Sequence, residues 1–242
     1  MTTLPVLVVE HEAMCPPGWV GEWLVDAGCA VDVRRPYLGE PLPEDLVGHR
    51  GMVVLGGSMD AYSDDRHPWL TRVKALVRDA AERRVPTLGI CLGHQLAAVA
   101  LGGAVQKNPR GQQIGVLDFG WTRAAADDPL IGAVSGASAA VQWNNDIVAI
   151  PPVGTEVLAR TRTGELQAAR FAPTVWGVQS HPEAGEEIVR EWADNDRDDA
   201  AERGVDVDEY VAKVAAARDE LRAAWQPLVT RFAALTEGAP RW

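Results

Sequence analysis

The stretch VPTLGICLGHQLAAVALGG, Val85 to Gly103, carries one cysteine near its centre. Up to Ile90 it reads as a short apolar strand, and from Leu92 onward as an alanine- and leucine-rich helix. Cys91 stands at the change, two residues from Gly89 on one side and from Gly93 on the other. A residue on so sharp a strand-to-helix turn is pushed out at the carboxyl edge of a sheet, the edge along which open α/β folds bind ligands. The turn calls for strained or left-handed backbone and close approach of neighbouring atoms, which favours glycine nearby. The pattern is that of the G-x-S-x-G nucleophile elbow with cysteine in place of serine. The helix opening at Leu92 aims its amide end at the sulfur, which favours a thiolate. A cysteine that only fills space at a strand end is the alternative, and it gives no reason for the glycines.

The chain around this stretch repeats the alternation. PVLVVE, WVGEWLVDAG, CAVDVRR, GMVVLGG and WLTRVKALVRDAAERR read in turn as strand, helix, strand, strand and helix before VPTLGI. Strands separated by single helices predict a mostly parallel sheet covered on both faces. The helix from Trp69 is the clearest, with Leu70, Val73, Val77, Ala80 and Ala81 at three- and four-residue spacing and Pro68 in its first turn. From Gly103 to about Ser180, GVLDFGW, AAVQW, EVLARTR, LQAARF and VWGVQ predict further strands, partly antiparallel, with at most one short helix near DDPLIGAV. After Glu183 the pattern is helical. The acidic stretch DNDRDDAAERG is expected to separate two helices, the second carrying Val211, Val214, Leu221, Trp225, Leu228 and Phe232 on one face, with a kink at Pro227. That face is expected to close the chain's own core.

A chain of 242 residues, 47% hydrophobic and 24% charged, supports one α/β domain with a core that needs no staple. The expected division is a core over residues 1–190 and a helical extension over 191–242. A net charge of -11 with no basic cluster argues against nucleic acid as a partner. No apolar stretch is long enough to span a bilayer and the first residues lack a secretion-signal layout, so a cytoplasmic protein is expected. Three cysteines, Cys15, Cys29 and Cys91, form no CxxC or Cys/His spacing, which points to reduced thiols and to no metal site.

A cysteine nucleophile needs a base within hydrogen-bond reach and a third group to orient that base. Of the five histidines, His94 faces away from an elbow side chain, while His67 and His49 lie in loops or turns. His11 closes the first strand without an evident partner. His181 follows the strand pattern VWGVQ and opens SHPE, so a strand delivers it to the sheet edge and Pro182 stiffens the turn that places Glu183 two residues on.

Together VVLGGSMD, GICLGHQLAAVALGG and VWGVQSHPEA resemble the class I glutamine amidotransferases. The resemblance runs from the first strand to about Glu183 and is nearest to the free-standing members related to the glutaminase half of GMP synthetase. It implies a flavodoxin-like sheet with some antiparallel strands, and a triad of Cys91 as nucleophile, His181 as base and later acid, and Glu183 as the orienting carboxylate. It implies oxyanion donors at the backbone amides of Gly57 and Leu92, contact of Gln95 with the amino-acid end of the substrate, and no metal or cofactor. Three positions depart from the family pattern. Ser58 stands where relatives usually carry proline, Asn144 or Asn145 where they carry a histidine before the aspartate, and Gln113 where many place a glutamate.

Three functions compete at this point. One is a glutaminase releasing ammonia, freely or to a separate synthetase or acceptor protein. The second is a γ-glutamyl peptidase or hydrolase acting on a modified γ-glutamyl compound. The third is a non-catalytic subunit that docks through its C-terminal helix. An α/β-hydrolase with a cysteine elbow is disfavoured, because that family places its acid before the histidine and Glu183 follows His181.

Overall fold

A computed structural model describes residues 4–137, 139–202 and 206–238. The elements in chain order begin β1 (Val6–Val9), α1 (Gly18–Asp26), β2 (Val31–Arg34), β3 (Gly51–Val54), α2 (Trp69–Arg83), β4 (Thr87–Ile90) and α3 (Leu92–Ala100). The middle of the chain gives β5 (Ala104–Lys107), β6 (Gln113–Asp118), β7 (Gly120–Trp121), α4 (Arg123–Asp127), β8 (Ala139–Asn144), β9 (Asp146–Ile150), β10 (Glu156–Arg160), β11 (Leu166–Ala172) and β12 (Val175–Val178). Four helices follow: α5 (Glu186–Asn195), α6 (Arg197–Glu202), α7 (Val207–Ala216) and α8 (Arg218–Glu237).

The main sheet runs β2-β1-β3-β4-β12-β11-β10-β7. Its first five strands are parallel and the last three are added antiparallel. With β12 taken as the fifth parallel strand, the order 2-1-3-4-5 is the flavodoxin-like one, and its switch point lies between β1 and β3. Both faces are covered, as the alternation in β1 requires. Val6 and Val8 point into a core with α1 and α8, while Leu7 and Val9 point into a second core with α2 and α3. The helix expected from Trp69 forms as α2, burying Leu70, Val73, Leu76, Val77 and Ala80.

The second half departs from the sequence reading in several places. Two strands that the local pattern did not mark, β5 and β9, pair with each other outside the main sheet, and β6 pairs with β8 in a second small ribbon. Near DDPLIGAV there are two short pieces, α4 and a 3-10 turn at Ile131–Ala133. The buried Asp128 between them accepts from the backbone N–H groups of Leu130 and Ile131. The stretch DNDRDDAAERG contains a helix, α6, which buries Ala200 in the core, while at the surface Arg197 joins Asp194 at 2.7 Å and Asp208 at 2.8 Å. The apolar stripe from Val211 to Phe232 lies on two helices that meet at Ala217, and α8 continues through Pro227. All six stripe residues are buried under this chain's own surface, and the Trp225 indole donates to the Ala139 carbonyl at 3.1 Å. A docking role for that face is thereby removed.

Candidate active site

Cys91 follows β4 and precedes α3 with φ 50° and ψ −104°, one of two described non-glycine residues with positive φ. Such backbone costs on the order of 1–3 kcal/mol and persists where the surroundings over-determine it. The surroundings here are tight. The Cys91 N–H donates to the Val178 carbonyl at 2.9 Å, tying the elbow to β12. A Cβ on Gly89 would collide with the Gly93 carbonyl, and one on Gly93 with the Val54 carbonyl. The strained conformation therefore falls on the cysteine itself, and the two glycines serve close approach.

His181 and Glu183 come from the segment after β12. Their Nδ1–Oε1 separation is 2.7 Å, with both side chains nearly out of contact with water. Committing Nδ1 to the carboxylate leaves Nε2 buried and, among the described residues, without a hydrogen-bond partner. A Cβ on Gly56 would stand 3.1 Å from His181 Cε1 and 3.7 Å from Cys91 Cβ, so the bare glycine lets the imidazole and the sulfur face one another. Burial works against a charged imidazole, yet the negative charges of Cys91 and Glu183 outweigh it and hold the His181 pKa well above its ordinary value. The site thus favours an imidazolium beside the sulfur.

The other histidines are otherwise occupied. His11 accepts from the Trp69 indole at 3.1 Å, the partner its sequence did not reveal, and burial followed by the charge of His67 pushes its pKa down to about 3. His94 packs on Phe171 with ring centroids 5.0 Å apart, and burial lowers it to about 3. His49 pairs with Asp32 at 3.0 Å. A second thiol, Cys15, lines the same pocket, but burial and then the charges of Glu12, Glu183 and Cys91 raise its pKa and keep it protonated.

Gly57 lines the pocket next to Leu92, and a Cβ on Gly57 would lie 3.0 Å from Leu92 Cδ2. Leu92 is the first residue of α3, so its N–H has no acceptor within the helix. Gln95 lies one turn further on, and its amide group donates to the Asp146 carbonyl at 3.1 Å and to Gln179 Oε1 at 3.4 Å. Gln179, which the sequence reading passed over, donates in turn to Cys91 Sγ at 3.6 Å. Its signal was a polar residue closing the apolar run VWGVQ, two positions before His181.

Gly57, Cys91, Gln95 and His181 line a cavity of about 260 Å³, just below the usual span of small-molecule sites. Its walls include Glu12, Ser58, Trp143, Asp146, Trp192 and Asp196. Of the departures from the family pattern, Ser58 and both candidates at the second position, Asn144 and Asn145, line it. Asn144 Nδ2 donates to Gln113 Oε1 at 3.2 Å, so one of those two asparagines forms a carboxamide pair with the third departure. Ser58 gives both its N–H, at 2.6 Å, and its hydroxyl, at 2.7 Å, to the Glu12 carboxylate, and a proline could not supply that N–H. Among the described residues no group of three or more His, Cys, Asp or Glu side chains is arranged for a metal ion, and no helix is long and apolar enough to cross a membrane.

The family described as glutamine amidotransferase class-I matches residues 20–189. This chain belongs to that family. The glutamine amidotransferase-like protein YfeJ of Salmonella typhimurium is 31% identical over 189 residues, covering 75% of this chain and 76% of that one. Gamma-glutamyl peptidase 5 of Arabidopsis thaliana is 28% identical over 166 residues, 67% of this chain and 65% of the peptidase. A glutamine-hydrolyzing GMP synthase subunit of Saccharolobus solfataricus is 39% identical over 107 residues, 42% of this chain and 53% of that protein. The amidotransferase resemblance read from the elbow and the His-Pro-Glu turn is therefore correct at the level of the family.

Proposed function

We propose that this class I amidotransferase is a cysteine hydrolase of γ-glutamyl amides, with glutamine as the smallest substrate. The observation that supports this reading most is the buried His181–Glu183 pair, its imidazole held charged beside Cys91 on a strained elbow. The Cys91 thiolate attacks the γ-carbonyl carbon, and the oxyanion that forms is met by the N–H groups of Gly57 and Leu92, each worth about 3 kcal/mol to the transition state. His181 gives its Nε2 proton to the leaving nitrogen and the C–N bond breaks, leaving a γ-glutamyl thioester. Water, deprotonated by His181, then cleaves the thioester to glutamate. Glu183 holds the imidazole throughout, and Gln179 steadies the sulfur.

Two leaving groups fit this chemistry: ammonia, released freely or to a separate synthetase, and a larger amine. The peptidase among the relatives and the room beyond the elbow favour considering both. The test is to mix the protein with glutamine and with γ-glutamyl conjugates, quench in acid, and read the intact mass. A gain of one glutamyl group located at Cys91 is expected. An adduct on Cys15, or none while glutamate accumulates, sinks the reading.

The charge state of His181 makes a pH prediction. Its pKa is raised in the folded protein, so the stabilisation from its proton is complete below the ordinary value of about 6.5 and is lost as pH rises through the folded value. The kcat/KM profile should hold past neutrality and fall on the alkaline side. Glu183→Gln removes one of the charges holding the proton, so the alkaline limb should move to lower pH. An unmoved limb would mean that another group sets it.

A further inference from the structure

The walls of the pocket differ in origin. Cys91, Gln95 and His181 lie within the stretch that matches the family, whereas Glu12, Met14 and Cys15, from the turn after β1, precede it, and Trp192, Asn195 and Asp196, from α5 and the residue after it, follow it. Helix α5 runs across the boundary expected at residue 190 and so brings the C-terminal extension to the site.

The chemistry of this added wall is consistent throughout. The Trp192 ring stands 4.6 Å from the His181 imidazole and 5.9 Å from the Trp143 ring, centroid to centroid. Hydrogen bonds at their edges fix both indoles: Trp192 Nε1 donates to the Met14 carbonyl at 2.7 Å, and Trp143 Nε1 to Asp196 Oδ2 at 2.8 Å. On the turn that carries Met14, Glu12 is clamped by Ser58. The donors held by Glu12 and Asp196 are neutral, coming from Ser58 and Cys15 in one case and from Trp143 and Asn195 in the other. Among the described residues the pocket lining includes no lysine or arginine. Independently, Asn144 is 4% exposed and lines the same cavity, and among the described residues its Oδ1, like Gln112 Oε1 and Asp146 Oδ1, has no hydrogen-bond partner. Aromatic faces, carboxylates and unsatisfied acceptors together call for a ligand that brings donors and positive charge.

We propose that the wall formed by Glu12, Trp143, Trp192 and Asp196 is a leaving-group subsite for an amine bearing a second, cationic nitrogen, so that the substrate class is the γ-glutamyl amides of short alkyl diamines. This rests on the hydrolase reading above. Trp192 lies against the imidazole that protonates the departing nitrogen, so a leaving group longer than ammonia emerges beside that ring. The distal ammonium then meets an indole face and a carboxylate. The balance is that of amide hydrolysis: the C–N bond breaks, the acyl carbon gains the water oxygen, and the diamine leaves with the proton from His181. An anionic leaving group would meet the like charges of Glu12 and Asp196, and a neutral one would leave those charges unpaired.

The test compares kcat/KM for the γ-glutamyl amide of 1,4-diaminobutane with that for the amide of n-pentylamine, which has the same number of heavy atoms and no distal charge. Glutamine and the γ-glutamyl amide of 4-aminobutyrate serve as references. The cationic substrate should lead its neutral counterpart by about tenfold, the anionic one should be the poorest conjugate, and the lead should shrink at high salt. In Glu12→Gln and Asp196→Asn, which keep the shape of the side chain, the ratio of cationic to neutral substrate should fall toward one. Equal rates for the cationic and neutral amides in the wild-type protein, alongside glutamine turnover, would overturn the subsite and leave the hydrolase reading standing. A lead unchanged in both variants would overturn it as well. If neither glutamine nor any conjugate acylates Cys91, the hydrolase reading fails and the subsite falls with it.

Discussion

Cys91→Ala should lower kcat/KM for γ-glutamyl amides by about 10⁴-fold or more, His181→Ala should cost about as much, and the double variant should be little worse than either. In the proposed mechanism the two groups act as one unit. Without the sulfur there is nothing to acylate, and without the imidazole the leaving nitrogen departs unprotonated. The remaining groups, the amides of Gly57 and Leu92, still polarise the carbonyl and set a floor above the uncatalysed rate. Steady-state kinetics on the three variants checks this. Retention of most turnover in His181→Ala would remove the imidazole from the mechanism. The elbow geometry adds a second readout. Cys91 holds a positive φ that glycine adopts freely, so Cys91→Gly should be equally inactive yet more stable by about 1 kcal/mol. A fall in midpoint for the glycine variant would mean that the cysteine side chain contributes more to packing than the backbone costs.

The parts of this site that were legible in the sequence share one property, that a local pattern forces them. The elbow was readable because only glycine tolerates the approach of the Gly93 and Val54 carbonyls. His181 and Glu183 were readable because a strand, a proline and a carboxylate follow in a fixed order. The parallel half of the sheet followed from alternating strand and helix patterns. What escaped is set by contacts distant in sequence. Strands β5 and β9 each have an exposed end and lack the continuous apolar run of the equally short β1 and β3, and they become strands by pairing across about forty positions. Helix α6 was masked by acidic composition because the core contact among its described residues, Ala200, is a single small residue among charged ones. Asn144 and Gln113 read as two unrelated departures until the structure brings them together, and Trp192 and Asp196 had no reason to be placed near Cys91 from their helical pattern alone.

The same elbow gives the largest expected loss of stability from a single methyl group. In an exposed helix, alanine in place of glycine gains about 1 kcal/mol from propensity, and Gly93 is the second residue of α3 with no positive φ to protect. Helix propensity alone therefore predicts that Gly93→Ala stabilises. Packing predicts the reverse, since the added Cβ falls inside the Val54 carbonyl oxygen and meets the Val54 backbone carbon and Cβ next. Relief would require lifting α3 away from β3, and the Gly89 position, already closed by the Gly93 carbonyl, offers no slack. Overpacking of this kind costs about 3 kcal/mol or more, enough to outweigh propensity and to lower the midpoint by roughly 6–12 °C in a chain of this size. Gly48→Ala is the control, because a Cβ there meets nothing within 4 Å. Thermal and urea unfolding of the two variants decide the matter. If Gly93→Ala melts with Gly48→Ala, the helix does not press on the strand as described. If it melts far below, activity should fall with it, because any lift of α3 carries the Leu92 amide and the Cys91 sulfur away from the positions that β12 and His181 hold for them.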